Sequence, residues 1–418
     1  MFSLLNIRVG FYLAVRQLRR ASLWTTGLIV FVMLLTFLNL VVVTGILVGL
    51  IEGINDSYRT QYTGDVIVSA LTTKDYIEDT PSVLTFIKTL PQVALITERY
   101  QTGGKIEANY LTRTDTTEKP NATGAQVIGI DPVAENAFTG LSKHIIDGQY
   151  LGETDYDQVL VGNFLLAKYA FGNQPGLTPL TDVGPGTKVR LTINGSTREV
   201  VVKGVIKSKI SPLAMSIFMP ASELRTLMGR DDQNVAQIAI RLVPGSDPDA
   251  FKNLLLRSGI GEKAKVQTFT DSIPNGVADI KTTFTMLGNG FSSIGLVVAA
   301  ITIFIVIFIN AITRRKFIGI LKGIGISGQA IEISYIFQSL FYAVIGSAIG
   351  LVVLYGVLVP SVAAHPIDFP FSDGILVAPA VGTSVRILLL VLTTVIAGYL
   401  PSRMIVRRNT LDSILGRN

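Results

Sequence analysis

Residues 21–51, ASLWTTGLIVFVMLLTFLNLVVVTGILVGLI, run for 31 positions without an acidic or basic side chain. About 20 apolar residues carry a helix through the hydrocarbon core of a bilayer, so this stretch predicts a membrane helix with length to spare. A secretory signal would need an apolar region of about 7–15 residues and then a small-residue cleavage site, and neither is present. Three further runs come after it: Thr282 to Thr313, Ile333 to Leu358, and Ile387 to Leu400, the last extended back through Leu376 and Arg386. Arg386 then falls about 22 Å of helix from Pro401, at headgroup depth, where its side chain can snorkel.

The composition agrees with four spans. Of 418 residues 49% are hydrophobic and 16% charged, against about 25% charged in a soluble domain. Cysteine is absent and the only histidines are His144 and His365, which excludes disulfides, thiolate metal sites, Cys nucleophiles and a Cys/His centre. The net charge of +6 is concentrated beside the spans: Arg8, Arg16, Arg19 and Arg20 before the first, Arg314, Arg315, Lys316 and Lys322 after the second, Arg403, Arg407, Arg408 and Arg417 after the fourth. Short cationic flanks stay on the cytoplasmic side, so both termini and the middle loop are expected there. The connection 359–375 has Asp368 and Asp373 but no Lys or Arg, as an outer loop should.

Between the first two spans lies a hydrophilic insertion, Glu52 to Lys281, with 23 Lys and Arg against 26 Asp and Glu, expected to fold outside the cytoplasm. Asp65 to Ser69 and Gln126 to Ile130 read as strands and Ser82 to Leu90 as a helix closed by Pro91. Asn194-Gly195 joins the runs Lys188 to Ile193 and Ser196 to Val205 as a hairpin with a type I′ turn. Gly172 to Gly186 reads as an exposed loop; Gln237 to Val243 and Lys265 to Phe269 read as strands around a helix at Asp249 to Arg257. The pattern suggests two lobes, a β-rich one near 124–212 set into a mixed α/β one, with no internal repeat. The fold class expected is therefore a membrane α-helical protein with four transmembrane helices and a large α/β extracytoplasmic domain between the first and second.

Two cytoplasmic segments could carry work. Leu4, Ile7, Phe11, Val15 and Leu18 recur at helical spacing, so residues 1–20 form an amphipathic helix in the interface, a membrane elbow or a partner contact. The segment Arg314 to Ser327 is too apolar for a solvated loop and too charged for the bilayer. In it Phe317, Ile320, Leu321 and Ile324 would form the apolar face of a short helix, offered to lipid or to another protein. Gly45, Gly49 and Gly53 in the first span, and Gly346 and Gly350 in the third, repeat every four residues and mark helix-packing faces, within one subunit or between two. Asn39 and Asn310 would need partners on neighbouring helices.

Other chemistry is missing. No G-x-x-x-x-G-K-[ST] occurs, and Gly184-Pro185-Gly186-Thr187-Lys188 has the wrong spacing to cradle phosphates. No acid/base pair, metal-ligand cluster or catalytic constellation is recognisable, so neither a catalytic nor a metal site is expected. Nothing points to nucleic acid. With Arg386 the only ionisable group in the runs, a proton-coupled carrier is poorly supported.

The order of one span, a large outer domain and three spans resembles the permease subunits of MacB/LolCE/FtsX-type ABC transporters, which work by mechanotransmission. The resemblance extends over the whole chain. Tyr62-Thr63-Gly64-Asp65-Val66-Ile67-Val68-Ser69 looks like the opening strand of the MacB-like periplasmic core domain. Val127 to Pro132, Asp147 to Leu151 and Val202 to Val205 resemble the usual succession of segments in that domain. Arg314-Arg315-Lys316-Phe317-Ile318-Gly319-Ile320-Leu321-Lys322-Gly323-Ile324-Gly325 is similar to the coupling-helix signature, although Glu commonly stands where Phe317 does. Ala397 to Arg403 with Leu411 to Leu415 resembles the closing motif, and Pro366 to Phe371 is reminiscent of lipoprotein-releasing permeases.

The resemblance implies a division into 1–20 (cytoplasmic amphipathic helix), 21–53 (first span), 54–281 (extracytoplasmic MacB-like core), 282–313 (second span), 314–331 (cytoplasmic coupling helix and loop), 332–358 (third span), 359–375 (outer loop), 376–402 (fourth span) and 403–418 (tail). It implies a non-catalytic permease of the bacterial inner membrane. ATP and Mg would bind to cytoplasmic ABC ATPase subunits, with no cofactor in this chain. A second permease, identical or related, and a periplasmic adaptor or lipoprotein chaperone would be further partners, besides membrane lipid. Contact with the ATPase would fall on Arg314, Arg315, Lys316, Phe317, Ile320, Leu321, Lys322, Gly323 and Gly325. The work would be export or extraction of a lipoprotein, lipid-like, peptide or drug substrate. The alternative is an FtsX-like signalling regulator of a cell-wall hydrolase; an insertion of about 230 residues is large for that type.

Overall fold

The computed structural model of the chain describes residues 4–113, 119–170, 177–273, 275–365, 367–369, 372–374 and 376–407. Arg408, Arg417, the motif Leu411 to Leu415, the start of the loop at Gly172, and Pro366, Pro370 and Phe371 lie outside them. The chain divides into two compact units: residues 1–51, 279–368 and 373–418 in one, and 52–278 with 369–372 in the other.

The first unit is helical: α1 (Leu4–Arg19), α2 (Leu23–Tyr58), α3 (Asn275–Thr313), α4 (Arg315–Gly323), α5 (Gly328–Val353) and α6 (Ala380–Val406). Among the described residues four helical segments are long and apolar enough to cross a membrane, Leu23–Thr63, Asp279–Thr313, Gly328–Ala364 and Ala380–Val406. The fourth begins at Ala380, after Pro379 at its N-cap.

In lipid no hydrophobic effect drives helices together, so close backbone approach and hydrogen bonds between helices do it. Small residues accordingly sit at the crossings around α5. A Cβ on Gly346 would stand 2.5 Å from Met33 Cβ, one on Gly350 would overlap Phe37 Cδ1, and one on Gly398 of α6 would lie 2.7 Å from Ser339 Oγ. Gly45 faces Val377, whose amide donates to the Gly45 carbonyl at 3.2 Å. Gly49 and Gly53 are buried further along α2. The contacts of Gly45, Gly346 and Gly350 are therefore made within one chain. Gly350→Val is expected to cost about 1–3 kcal/mol, because the added atoms meet an aromatic ring already in place. Gly27→Val, on the same α2 but with nothing within 4 Å, serves as control. Thermal unfolding of the full chain in detergent checks this, with a lowered midpoint for the first variant alone.

The face by which α1 packs differs from its apolar stripe. Leu4, Ile7 and Phe11 remain exposed, at 82%, 38% and 54%, while Gly10, Leu13, Ala14 and Gln17 are buried. A Cβ on Gly10 would lie 2.6 Å from Ile333 Cγ2 of α5, and Gln338 Nε2 donates to Gln17 Oε1 at 2.6 Å in the same seam. Leu4 and Ile7 are left uncovered, Phe11 meets the Phe337 ring of α5 edge-on at 5.3 Å, and Leu13 packs inward with the small and amide side chains.

The second unit is built on one sheet of β1 (Val66–Ser69), β2 (Val93–Glu107), β3 (Ala122–Ile130), β4 (Ile145–Gly148), β5 (Gln158–Gly162), β6 (Lys188–Ile193), β7 (Ser196–Ile206), β8 (Ser216–Pro220), β9 (Gln237–Leu242) and β10 (Lys265–Thr268). Asn194 and Gly195 turn β6 into β7 with φ of 48° and 84°, as a type I′ turn requires. The ladder runs β10-β1-β9-β2-β3-β8-β5-β7-β4, and β6 pairs with both β2 and β7. Strands β2, β3, β8, β5, β7 and β6 therefore form a closed ring, and β10, β1 and β9 form an open wing. Closure leaves those strands no free edge.

The two-lobe reading needs correction on this point. The β-rich lobe is the ring, but it shares a strand with the wing instead of being inserted as a separate body. The cause is the length of β2, 15 residues, or about 50 Å at 3.3 Å per residue. Residues 93–99 pair with β9, 99–107 with β3 and 105–107 with β6.

Candidate functional site

Helix α4 has two unlike faces. Ile318, Gly319 and Leu321 are buried, whereas Phe317, Ile320 and Ile324 are 49%, 52% and 71% exposed. Residues 317, 320 and 324 share one side at 3.6 residues per turn, and 318 and 321 lie a step round from it. Leu321, grouped by its spacing with the outward apolar face, belongs instead to the anchoring face, where it joins Ile318 in the core of the first unit. Lys322 is likewise tied inward: its Nζ donates to the Val406 carbonyl at the end of α6, at 2.8 Å, a favourable place for a cation. Arg314 caps α4 from the end of α3, Arg315 is half-buried, and Lys316 and Gly323 are exposed.

The helix stops through Gly325, whose φ of 94° suits glycine and few other residues. The Gly325 amide donates to the Lys322 carbonyl at 3.1 Å and that of Ile326 to the Leu321 carbonyl at 3.0 Å. Ser327 then caps α5 by accepting from the Ala330 amide. The amino end of α1 is tied to this turn, with Ser327 Oγ donating to Asn6 Oδ1 at 2.9 Å and Asn6 Nδ2 to Gln329 Oε1 at 3.0 Å. The result is a firmly held helix that presents Lys316, Phe317, Ile320, Gly323 and Ile324 outward.

A second arrangement, in the other unit, was not visible in the sequence. The last turns of α2 from Glu52 onward belong to that unit, and Ile54, Tyr58 and Tyr62 enter its core with Ile128, Ile130 and Phe218. A π-helical turn, Arg59–Thr63, ends the helix. The fully buried Arg99 grips it: NH1 donates to the Tyr62 carbonyl at 2.7 Å, and the guanidinium sits 4.8 Å from the Tyr62 ring centroid. NH2 donates to Glu135 Oε1 at 2.7 Å and Nε to Oε2 at 3.0 Å. Thr97 Oγ1 donates to the same carboxylate at 2.7 Å. Burial alone would lower the Arg99 pKa, and the adjacent Glu135 carboxylate more than offsets that, holding it above its ordinary value.

Arg59 Nε donates to Asp65 Oδ1 at 2.8 Å and the Leu242 amide to Asp65 Oδ2 at 2.8 Å. A Cβ on Gly64 would overlap the Ile240 carbonyl, so the passage from turn to strand needs glycine. The stretch Tyr62 to Ser69 is thus where the end of α2 is locked to the wing of the sheet. Among the described residues no three His, Asp or Glu side chains could hold a metal ion.

A family model described as the MacB-like periplasmic core domain matches residues 26–257, over half of the chain. A second, the FtsX-like permease C-terminal domain, matches residues 289–410. The chain belongs to the MacB/FtsX-type permeases. Its permease segment 289–410 contains α4, α5 and α6, and the matched core domain contains the Arg99–Glu135 grip. A solved structure of the periplasmic region of MacB from Actinobacillus actinomycetemcomitans is similar at 14% identity and a TM-score of 0.34, covering 49% of this chain and 88% of that one. No curated protein matches the chain. A MacB/FtsX-type permease is a membrane protein with a periplasmic-type domain between its first two spans, which is the element order found.

Proposed function

We propose that this permease passes the ATP-driven motion of a separate ABC ATPase to its extracytoplasmic domain, 54–281, to export or extract a lipoprotein, lipid-like, peptide or drug substrate. The reading puts the chain in the inner membrane with both termini cytoplasmic, the orientation that the Lys and Arg flanks favour. The observation that carries it is the two-faced α4: a helix fixed by Ile318, Leu321 and Lys322 that leaves Phe317, Ile320 and Ile324 uncovered. A push on such a helix moves the unit it is anchored in. On the other side, the end of α2 is built into the core of the second unit and gripped by Arg99, as a helix that transmits displacement would need to be. Permeases of this family work with ABC ATPases, and a second permease and an adaptor or chaperone complete the proposed assembly.

Gly323→Leu tests the contact. Nothing lies within 4 Å of a Cβ there, so the permease itself accepts the side chain and only a docked partner would meet it. Isolated from native membranes, the variant should retain about tenfold less ATPase than the wild type, the loss of one interface contact. Equal retention would overturn the assignment.

A further inference from the structure

Three arginines, Arg16 of α1, Arg20 just after it and Arg314 between α3 and α4, line one cavity of about 310 Å³ whose apolar wall is Leu13, Phe317 and Leu321. Among the described residues no acidic side chain lines it. Helix α1 and helix α4 contain no Asp or Glu at all. Arg314 also lines a second cavity of about 300 Å³ between α2 and α3. Its lining is mixed, with Thr25, Thr26 and Asn310 beside Ile309, and Ile29 and Val306 lie farthest along the spans from Arg314. Val306 is eight residues from Arg314, about 12 Å along a helix.

We infer that the paired cavities hold one anionic phospholipid, its phosphate among Arg16, Arg20 and Arg314 and the start of an acyl chain against Ile29, Val306 and Ile309. The ligand is an anion, because among the described residues three cations line one space with no acidic side chain beside them, and arginine presents a donor fork that fits phosphate oxygens. It is an amphiphile, because Arg314 also lines the second, mainly apolar cavity, which a soluble ion would leave empty. The cavities lie at the end of the spans, where headgroups are found, and basic pockets between membrane helices favour such lipids. An acidic segment of a partner protein would meet the arginines but would not fill the branch between α2 and α3.

Native mass spectrometry of the full chain in detergent, titrated with phosphatidylglycerol, phosphatidylcholine or inorganic phosphate, tests this. Phosphatidylglycerol should bind in preference to phosphatidylcholine. The Arg16→Gln/Arg20→Gln variant should lose about 25-fold in phosphatidylglycerol affinity, the product of roughly fivefold per removed charge. Arg16→Lys/Arg20→Lys should keep most of it. Arg8→Gln/Arg19→Gln, which removes the same charge from α1 outside the cavity, should stay within about twofold. Equal losses in both Gln pairs would make the attraction general and overturn the site. Inorganic phosphate displacing the lipid at equimolar concentration would overturn the lipid and leave a free-anion site. Unchanged lipid affinity beside lost ATPase retention would assign the arginines to the partner instead.

Discussion

Glu135→Ala should destabilise the permease by about 3–5 kcal/mol, the cost of leaving a buried charge without its partner. Both side chains are 0% exposed, so solvent cannot replace the carboxylate that Arg99 loses. Three donations end on that carboxylate group, from Arg99 Nε, Arg99 NH2 and Thr97 Oγ1, and all are lost together. Glu135→Gln keeps the shape and part of the hydrogen bonding and should cost less. The decisive comparison is Arg99→Met/Glu135→Leu. With neither charge present there is no stranded ion, although the Tyr62 carbonyl loses its donor at a cost of about 1–3 kcal/mol. The double variant should therefore unfold at a higher temperature than Glu135→Ala alone. A double variant at least as unstable as the single would mean that the pair contributes net attraction beyond offsetting its own desolvation. Because Arg99 grips the turn that ends α2, Glu135→Ala should also raise the rate of proteolytic cleavage near residues 59–64 in the folded full chain.

That grip was illegible in the sequence for a definite reason. Thr97, Arg99 and Gln101 alternate with Ile96, Glu98 and Tyr100 along β2, and a period of two with polar side chains on one face reads as a solvent-facing strand. The partner carboxylate is 36 residues away, on a short helix, Pro132–Thr139, which covers that face only after the chain has turned twice. The spans were legible because a bilayer demands long uncharged runs, a constraint local to each segment. The hairpin at Asn194-Gly195 was legible because its turn chemistry is local too. Closure of the ring by β6 against β2 depends on residues some 85 positions apart, such as Lys105 and Thr192, and no short window encodes it. In α1 the spacing reads as an apolar stripe, but the packing face, Gly10, Leu13, Ala14 and Gln17, is marked mainly by small and amide residues that a search for hydrophobic periodicity passes over.

The face of α4 proposed to dock a partner and the face that holds the helix in place can be separated by charge substitutions two turns or less apart. Ile320→Asp/Ile324→Asp should reduce retention of the ATPase about a thousandfold, since two central apolar contacts at about 2 kcal/mol each are removed. The permease alone should keep its thermal midpoint, because both side chains are more than half exposed and a carboxylate there stays in water. Leu321→Asp, one residue from Ile320, should do the reverse. It puts a charge where only 7% of the side chain is exposed, among Leu13, Ile318 and Ile331, and so lowers the midpoint before any question of docking arises. Phe317→Glu sets the scale between them. Glu commonly stands at this place in the coupling signature that the segment resembles, and the site is 49% exposed, so the variant should lose no more than about tenfold in retention. If all three reduced the midpoint alike, α4 would be an internal strut on both faces. If Ile320→Asp/Ile324→Asp left both midpoint and retention unchanged, the exposed face would rest on lipid, and the force would have to enter the permease elsewhere.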